Sequence, residues 1–92
     1  MTPEQEVERG RWAEEVLANP VYAEAHGLIA QGITEQWRNS RDAAEREQLH
    51  QMLRMLDKVQ TLLESTMRTG KVAQAELKRK ASLAERIGRL RG

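Results

Sequence analysis

The stretch Leu49-His50-Gln51-Met52-Leu53-Arg54-Met55-Leu56-Asp57-Lys58-Val59-Gln60-Thr61-Leu62-Leu63 decides how this chain folds. Leu49, Leu56 and Leu63 recur every seven residues, and Met52, Val59 and Thr66 follow them at a distance of three. At about 3.6 residues per turn, residues spaced three and four apart fall on one side of a helix. Leu53, Met55, Leu62 and Met67 widen the stripe. A face broader than a two-row seam fits a helix packed in a bundle better than an isolated two-stranded coil. The start signal for this helix is Asp42 with Glu45 three residues later, after a short turn at Asn39-Ser40-Arg41. Its predicted end is Thr69-Gly70-Lys71, because glycine just past the last turn commonly closes a helix.

Working outward, Thr2-Pro3-Glu4-Gln5 offers a capping hydroxyl, a proline at the first helical position and a capping-box glutamine. The first helix is predicted from Pro3 to Ala18, with Val7, Trp12, Ala13, Val16 and Leu17 as its apolar positions. Asn19-Pro20 repeats that grammar and ends or bends the first helix, since the residue before a proline disfavours helical backbone. A second helix then runs to about Arg38. Val21, Ala25, Leu28, Ile29, Gly32, Ile33 and Trp37 share a face, and Gly32 on that face offers room for a close helix contact. Beyond Lys71 a thin, Ala-rich stripe (Ala73, Leu77, Ala81, Ala84, Ile87) predicts a fourth helix, exposed or ordered by a partner. The expectation is an all-α fold: a helical hairpin or small antiparallel bundle of about four helices. Residues 1–70 would form the bundle and residues 71–92 a basic helical tail.

Composition sharpens the functional reading. The chain of 92 residues has no Phe, one Tyr and two Trp, so it lacks bulky side chains for a core. Chains this small usually compensate with disulfides, a metal or association, and there is no Cys. Association is the remaining route, which predicts a homo-oligomer or contact with other proteins. The interface residues expected from the pattern are Trp37, Leu49, Met52, Leu53, Leu56, Val59 and Leu63. An indole left exposed in so aromatic-poor a chain would mark such an interface.

Net charge is +1 but unevenly spread. Residues 1–40 carry seven Glu against Arg9, Arg11 and Arg38, net −4, and residues 71–92 carry seven cations against Glu76 and Glu85, net +5. Lys78, Arg79, Lys80, Arg86, Arg89 and Arg91 are the candidate contacts for nonspecific nucleic-acid binding, with Lys78, Arg79, Arg86 and Arg89 on one broad face. The competing reading is a solvated face, or one paired with an acidic neighbour. No aromatic interleaves the cluster, which argues against stacking on single strands.

Other chemistry finds no support. His26 and His50 lie far apart with no triad or ligand spacing, so no catalytic residue, metal ligand or cofactor is assigned. The paired Glu-x-x-His pattern of di-metal bundles is absent, as is a phosphate-binding glycine loop. No apolar run is long enough to cross a bilayer, and the tail lacks the bulky anchors of a membrane-surface helix. No small-molecule substrate or membrane is expected.

Glu8-Arg9-Gly10-Arg11, Glu14-Glu15-Val16-Leu17-Ala18-Asn19-Pro20, Trp37-Arg38-Asn39-Ser40 with Asp42 and Arg46-Glu47, and then Thr69-Gly70-Lys71 carry a resemblance. Over residues 8–71 the chain resembles short helical proteins encoded in tailed-bacteriophage and prophage gene clusters, near head and packaging genes. The resemblance implies a structural or assembly role in the host cytoplasm or virion, and it identifies no site residues. The alternatives are a DNA-associated packaging accessory or regulator using the basic helix, and a small inhibitor of a host protein.

Overall fold

Three helices account for nearly all of residues 1–91, which the computed structural model describes. Helix α1 spans Pro3–Ala18, α2 spans Pro20–Asn39 and α3 spans Ala43–Arg91. The first two start signals act as read, and at the third Asp42 caps α3 while its own amide donates to Ser40 Oγ, not to Glu45. Thr2 Oγ1 accepts from the Gln5 amide at 3.2 Å, and Gln5 Oε1 accepts from the Thr2 amide at 2.9 Å. Asn19 Oδ1 accepts from the Val21 and Tyr22 amides, and the extended backbone of Asn19 (ψ 120°) breaks α1 from α2. Asp42 Oδ1 accepts from the Ala44 amide at the start of α3.

The predicted fourth helix does not exist as a separate element. α3 runs without interruption through Gly70, and among the described residues no glycine has the positive φ that a glycine-closed helix end requires. Its 49 residues span about 73 Å at 1.5 Å per residue, matching a longest molecular extent of 76 Å. The radius of gyration is 20.9 Å, against about 12 Å for a compact domain of this length. The expected hairpin or small bundle is therefore replaced by two short helices laid end to end along one long one.

Three contacts fix the direction. Gly10 meets Gly70, the Tyr22 hydroxyl donates to Gln60 Oε1 at 3.0 Å, and Arg46 reaches the end of α2 at Trp37. As numbering rises along α1 and α2 it falls along α3, so both pack antiparallel to it. The crossing of α1 on α3 brings two helix backbones close together. A Cβ built on either glycine would stand 2.7 Å from the Cα of the other. Ala13 and Ala73 are buried beside it. Here the missing side chains let two backbones meet, and dispersion along the crossing offsets the propensity cost of two helical glycines. The close approach expected at Gly32 is not made: a Cβ there, or on Gly27, meets nothing within 4 Å.

The α2–α3 contact centres on Ile33 and Leu49, 8% and 5% exposed. Leu53, Leu56, Gln60, Leu63 and Met67 continue the inner row of α3, all half-buried. The stripe is thus rotated from the one expected. Leu49, Leu56 and Leu63 face inward, but Leu53 and Gln60, four positions on, join the first two in place of Met52 and Val59; beside Leu63 both Thr66 and Met67 are half-buried. Met52 and Val59 are 51% and 49% exposed. Among the described residues no large side chain is fully buried.

The turn is held by one cation. Arg46 Nη1 donates to the carbonyls of Trp37 (2.6 Å) and Ser40 (3.0 Å), and its guanidinium lies 3.8 Å from the Trp37 ring centroid. Trp37 lies near the end of a helix whose last carbonyls need donors, and α3 supplies one. Arg46→Met keeps the stem but removes both bonds, and is expected to cost about 2 kcal/mol, given about 1.5–3 kcal/mol for hydrogen bonds to charged groups, discounted for exposure. Urea denaturation checks this; an unchanged midpoint would show the turn does not depend on Arg46.

Candidate functional site

Once Leu49, Leu53, Leu56, Gln60 and Leu63 are turned inward, a second row on α3 is left uncovered. Met52, Met55, Val59 and Leu62 step by three, four and three, and are 51%, 64%, 49% and 59% exposed. With about 100° per residue, this outer row sits roughly a quarter-turn from the inner one, on the side of decreasing angle. On α2, Val21, Leu28 and Ile29 are displaced in the same sense from the buried row of Tyr22, His26 and Ile33. Because the two helices are antiparallel, equal displacements on each fall on the same side of the pair. The exposed apolar groups of α2 and α3 therefore form one surface. Trp12 and Val16 on α1, 56% and 39% exposed, are displaced in that sense too. Large exposed apolar patches are a common feature of contact sites.

The interface residues expected from sequence divide across this geometry. Leu49, Leu53, Leu56 and Leu63 pack within the chain, while Met52 and Val59 belong to the outer row. Trp37 is 38% exposed and carries Arg46 on its face. Sequence reasoning placed Met55 and Leu62 on the edge of the stripe and missed that they anchor a separate row. The three-four-three spacing was the available signal.

The second feature is the free end of α3. Every residue from 78 to 91 is exposed, a projection of about 20 Å beyond the last half-buried residue, Leu77. Lys78, Arg79, Lys80, Arg86, Arg89 and Arg91 all lie here, against Glu85. The continuity of α3 extends this charge backward. Arg68, Lys71, Lys78, Arg86 and Arg89, with Ala75 and Ser82 between, step by three and four along one line, and Arg79 flanks it. No carboxylate occupies that line. Glu76 and Glu85 reach it from the flanks, at 2.6 Å from Arg79 and 2.8 Å from Arg89, and Glu14 of α1 lies 4.0 Å from Lys71. These pairs are exposed and each contributes little. Lys80 and Arg91 fall on the other side, each about 200° from Lys78 and Arg89 respectively.

The concave places on the surface are open and shallow. The first lies on α1 alone, along Glu4, Glu8 and Trp12, and another lies beside the crossing, along Pro3, Glu6, Arg68 and Val72. The second also takes in Ser65, Thr69 and Glu76. His26 is half-buried beside Tyr22, with ring centroids 6.0 Å apart, and its Nε2 makes no hydrogen bond with the protein. His50 is exposed on α3. Among the described residues, no group of three His, Asp or Glu is placed to hold a metal ion, and no helix is long and apolar enough to cross a membrane.

Comparison with protein-family models, with curated proteins and with solved structures yields no match for this chain. The functional reading rests on the outer row and the free basic end.

Proposed function

We propose that this chain is a non-catalytic assembly protein that joins copies of itself, and neighbouring subunits, through the exposed side of its helix pair. The observation that carries this reading is the outer row Met52, Met55, Val59 and Leu62, each about half exposed or more. These are interface residue types at seam spacing, in a molecule whose own core is thin. The setting we propose, on the resemblance over residues 8–71, is a tailed-phage particle or its assembly. The neighbouring genes test that setting directly: head or packaging genes support it, and their absence argues against it.

The assembly reading is tested by sedimentation over a concentration series. The expected result is a mass above one chain at about 10 μM, falling on dilution. Met55→Glu with Leu62→Glu is expected to leave a monomer of unchanged helix content, because both side chains are already in water. A wild-type chain that stays monomeric to about 100 μM overturns the reading.

A second reading is favoured by the basic line from Arg68 to Arg89. It is about 32 Å long, straight, and free of acids along its length. Such a line suits the phosphate backbone of duplex DNA, bound without base selection. If about five phosphates are neutralised, log affinity is expected to fall with log salt at a slope of about −4.5. Lys78→Ala with Arg86→Ala should reduce that slope by about 2. Absence of binding at low salt removes this reading.

A further inference from the structure

The free end of α3 carries its own apolar row, and that row has the same spacing as the outer row 28 residues earlier. Lys80, Leu83, Ile87 and Leu90 step by three, four and three, as do Met52, Met55, Val59 and Leu62, and each pair differs by 28, which is four heptads. Leu83, Ile87 and Leu90 are 57%, 45% and 87% exposed. We propose that the free end of one copy docks, parallel and head to tail, along the outer row of the next copy. Leu83 then meets Met55, Ile87 meets Val59 and Leu90 meets Leu62. This deepens the assembly reading and rests on it.

In a parallel pair of helices, like heptad positions face each other, so a shift of whole heptads preserves the seam. Three of the four layers are apolar on both sides. In the fourth, the Lys80 stem lies against Met52 while its ammonium reaches water. The alternatives fail on the molecule's own surface. An antiparallel pairing of two α3 helices also finds apolar matches, with Met52 against Leu90, Met55 against Ile87 and Val59 against Leu83. That arrangement lays the two helices over each other at residues 66–76, where Ala73 is already buried and Glu76 half-buried at the α1 contact. α1 occupies the space the second copy would need through the middle of that contact, whereas the staggered pairing brings only residues 71–76 beside 43–48 of the next copy, at the edge of the contact. An unstaggered parallel pairing meets the same obstacle and sets two free ends, each +5 over residues 77–91, side by side. The staggered contact instead places the +5 end beside residues 49–63 of α3 and 20–33 of α2, where Glu24 and Asp57 balance Arg54 and Lys58, so the repulsion of two like ends is absent. The basic line points away from the docking row, so it stays open.

A contact between two different surfaces of the same chain does not close on itself when successive copies are related by a rotation with a rise along the axis. The product is an open chain of molecules with a rise of about 42 Å per copy, 28 residues at 1.5 Å each. Assembly is then limited by end capping, which a partner subunit could supply.

Cysteine cross-linking in the full-length chain tests the register, since there is no native Cys to interfere. Val59→Cys/Ile87→Cys is expected to oxidise into a ladder of covalent dimers, trimers and longer species. The antiparallel reporter, Met52→Cys/Leu90→Cys, is expected to stay uncross-linked. In a second measurement, Leu83→Glu/Ile87→Glu leaves the folded core untouched and should weaken self-association at least about 100-fold. A self-associating protein that gives dimers with the antiparallel reporter and no ladder overturns the head-to-tail register while leaving the assembly reading in place. The same holds if Leu83→Glu/Ile87→Glu assembles like wild type. A chain that is monomeric by sedimentation and cross-links in neither variant overturns both.

Discussion

Gly70→Ala is expected to destabilise the protein by about 2 kcal/mol, although alanine is the better helix former by about 1 kcal/mol. The new methyl would lie 2.7 Å from the Gly10 Cα and 2.9 Å from the Glu6 carbonyl oxygen. Both are backbone atoms in the middle of a helix, so no rotamer change relieves the contact. α1 must retreat by roughly 1 Å to restore ordinary separations, and the whole crossing then loses close packing. Gly10→Ala should act similarly, and the double variant should cost less than the sum, because one retreat serves both methyls. Gly32→Ala is the control. Its Cβ meets nothing within 4 Å, so it should gain about 1 kcal/mol from propensity alone. Urea denaturation at one fixed protein concentration reads all four variants. If Gly70→Ala stabilises as Gly32→Ala does, the crossing is not formed in solution.

Leu49→Ala should cost about 3 kcal/mol and Met52→Ala less than about 1 kcal/mol in the monomer, although the two positions look equivalent in the heptad pattern. Leu49 is 5% exposed and packs where α2 and α3 meet, so its truncation leaves a cavity in an already thin core. Met52 is 51% exposed and loses little within one chain. The assembly reading requires the opposite ranking for self-association, with Met52→Ala weakening it and folding nearly unchanged. Denaturation measured in a monomeric Met55→Glu/Leu62→Glu background separates the two effects. Equal losses at both positions in that background would mean that the outer row is part of the core, and the docking surface would vanish with it.

These variants also mark where sequence reasoning stopped short. Leu49, Leu56 and Leu63 belong to either of two stripes, one adding Met52 and Val59, the other adding Leu53 and Gln60. Hydropathy prefers the first, because Gln60 is polar. The folded chain takes the second, since the Tyr22 hydroxyl, 38 positions away, gives Gln60 a partner. Nothing near Gln60 in the chain announces that bond. Exposed Met55 and Leu62, and with them the candidate docking surface, follow from that rotation.

The amino-acid sequence alone determined where α1, α2 and α3 begin, because capping bonds and proline geometry act over a few residues: Thr2 with Gln5, Asn19 before Pro20, Asp42 with Ala44. It also fixed the seven-residue repeat and the basic end. Only the tertiary structure decided that Gly70 continues a helix. A glycine after an apolar stripe can close a helix or let another backbone approach, and the choice depends on what faces it, here Gly10, sixty positions earlier. From that one contact follow a single α3 and its projecting basic end.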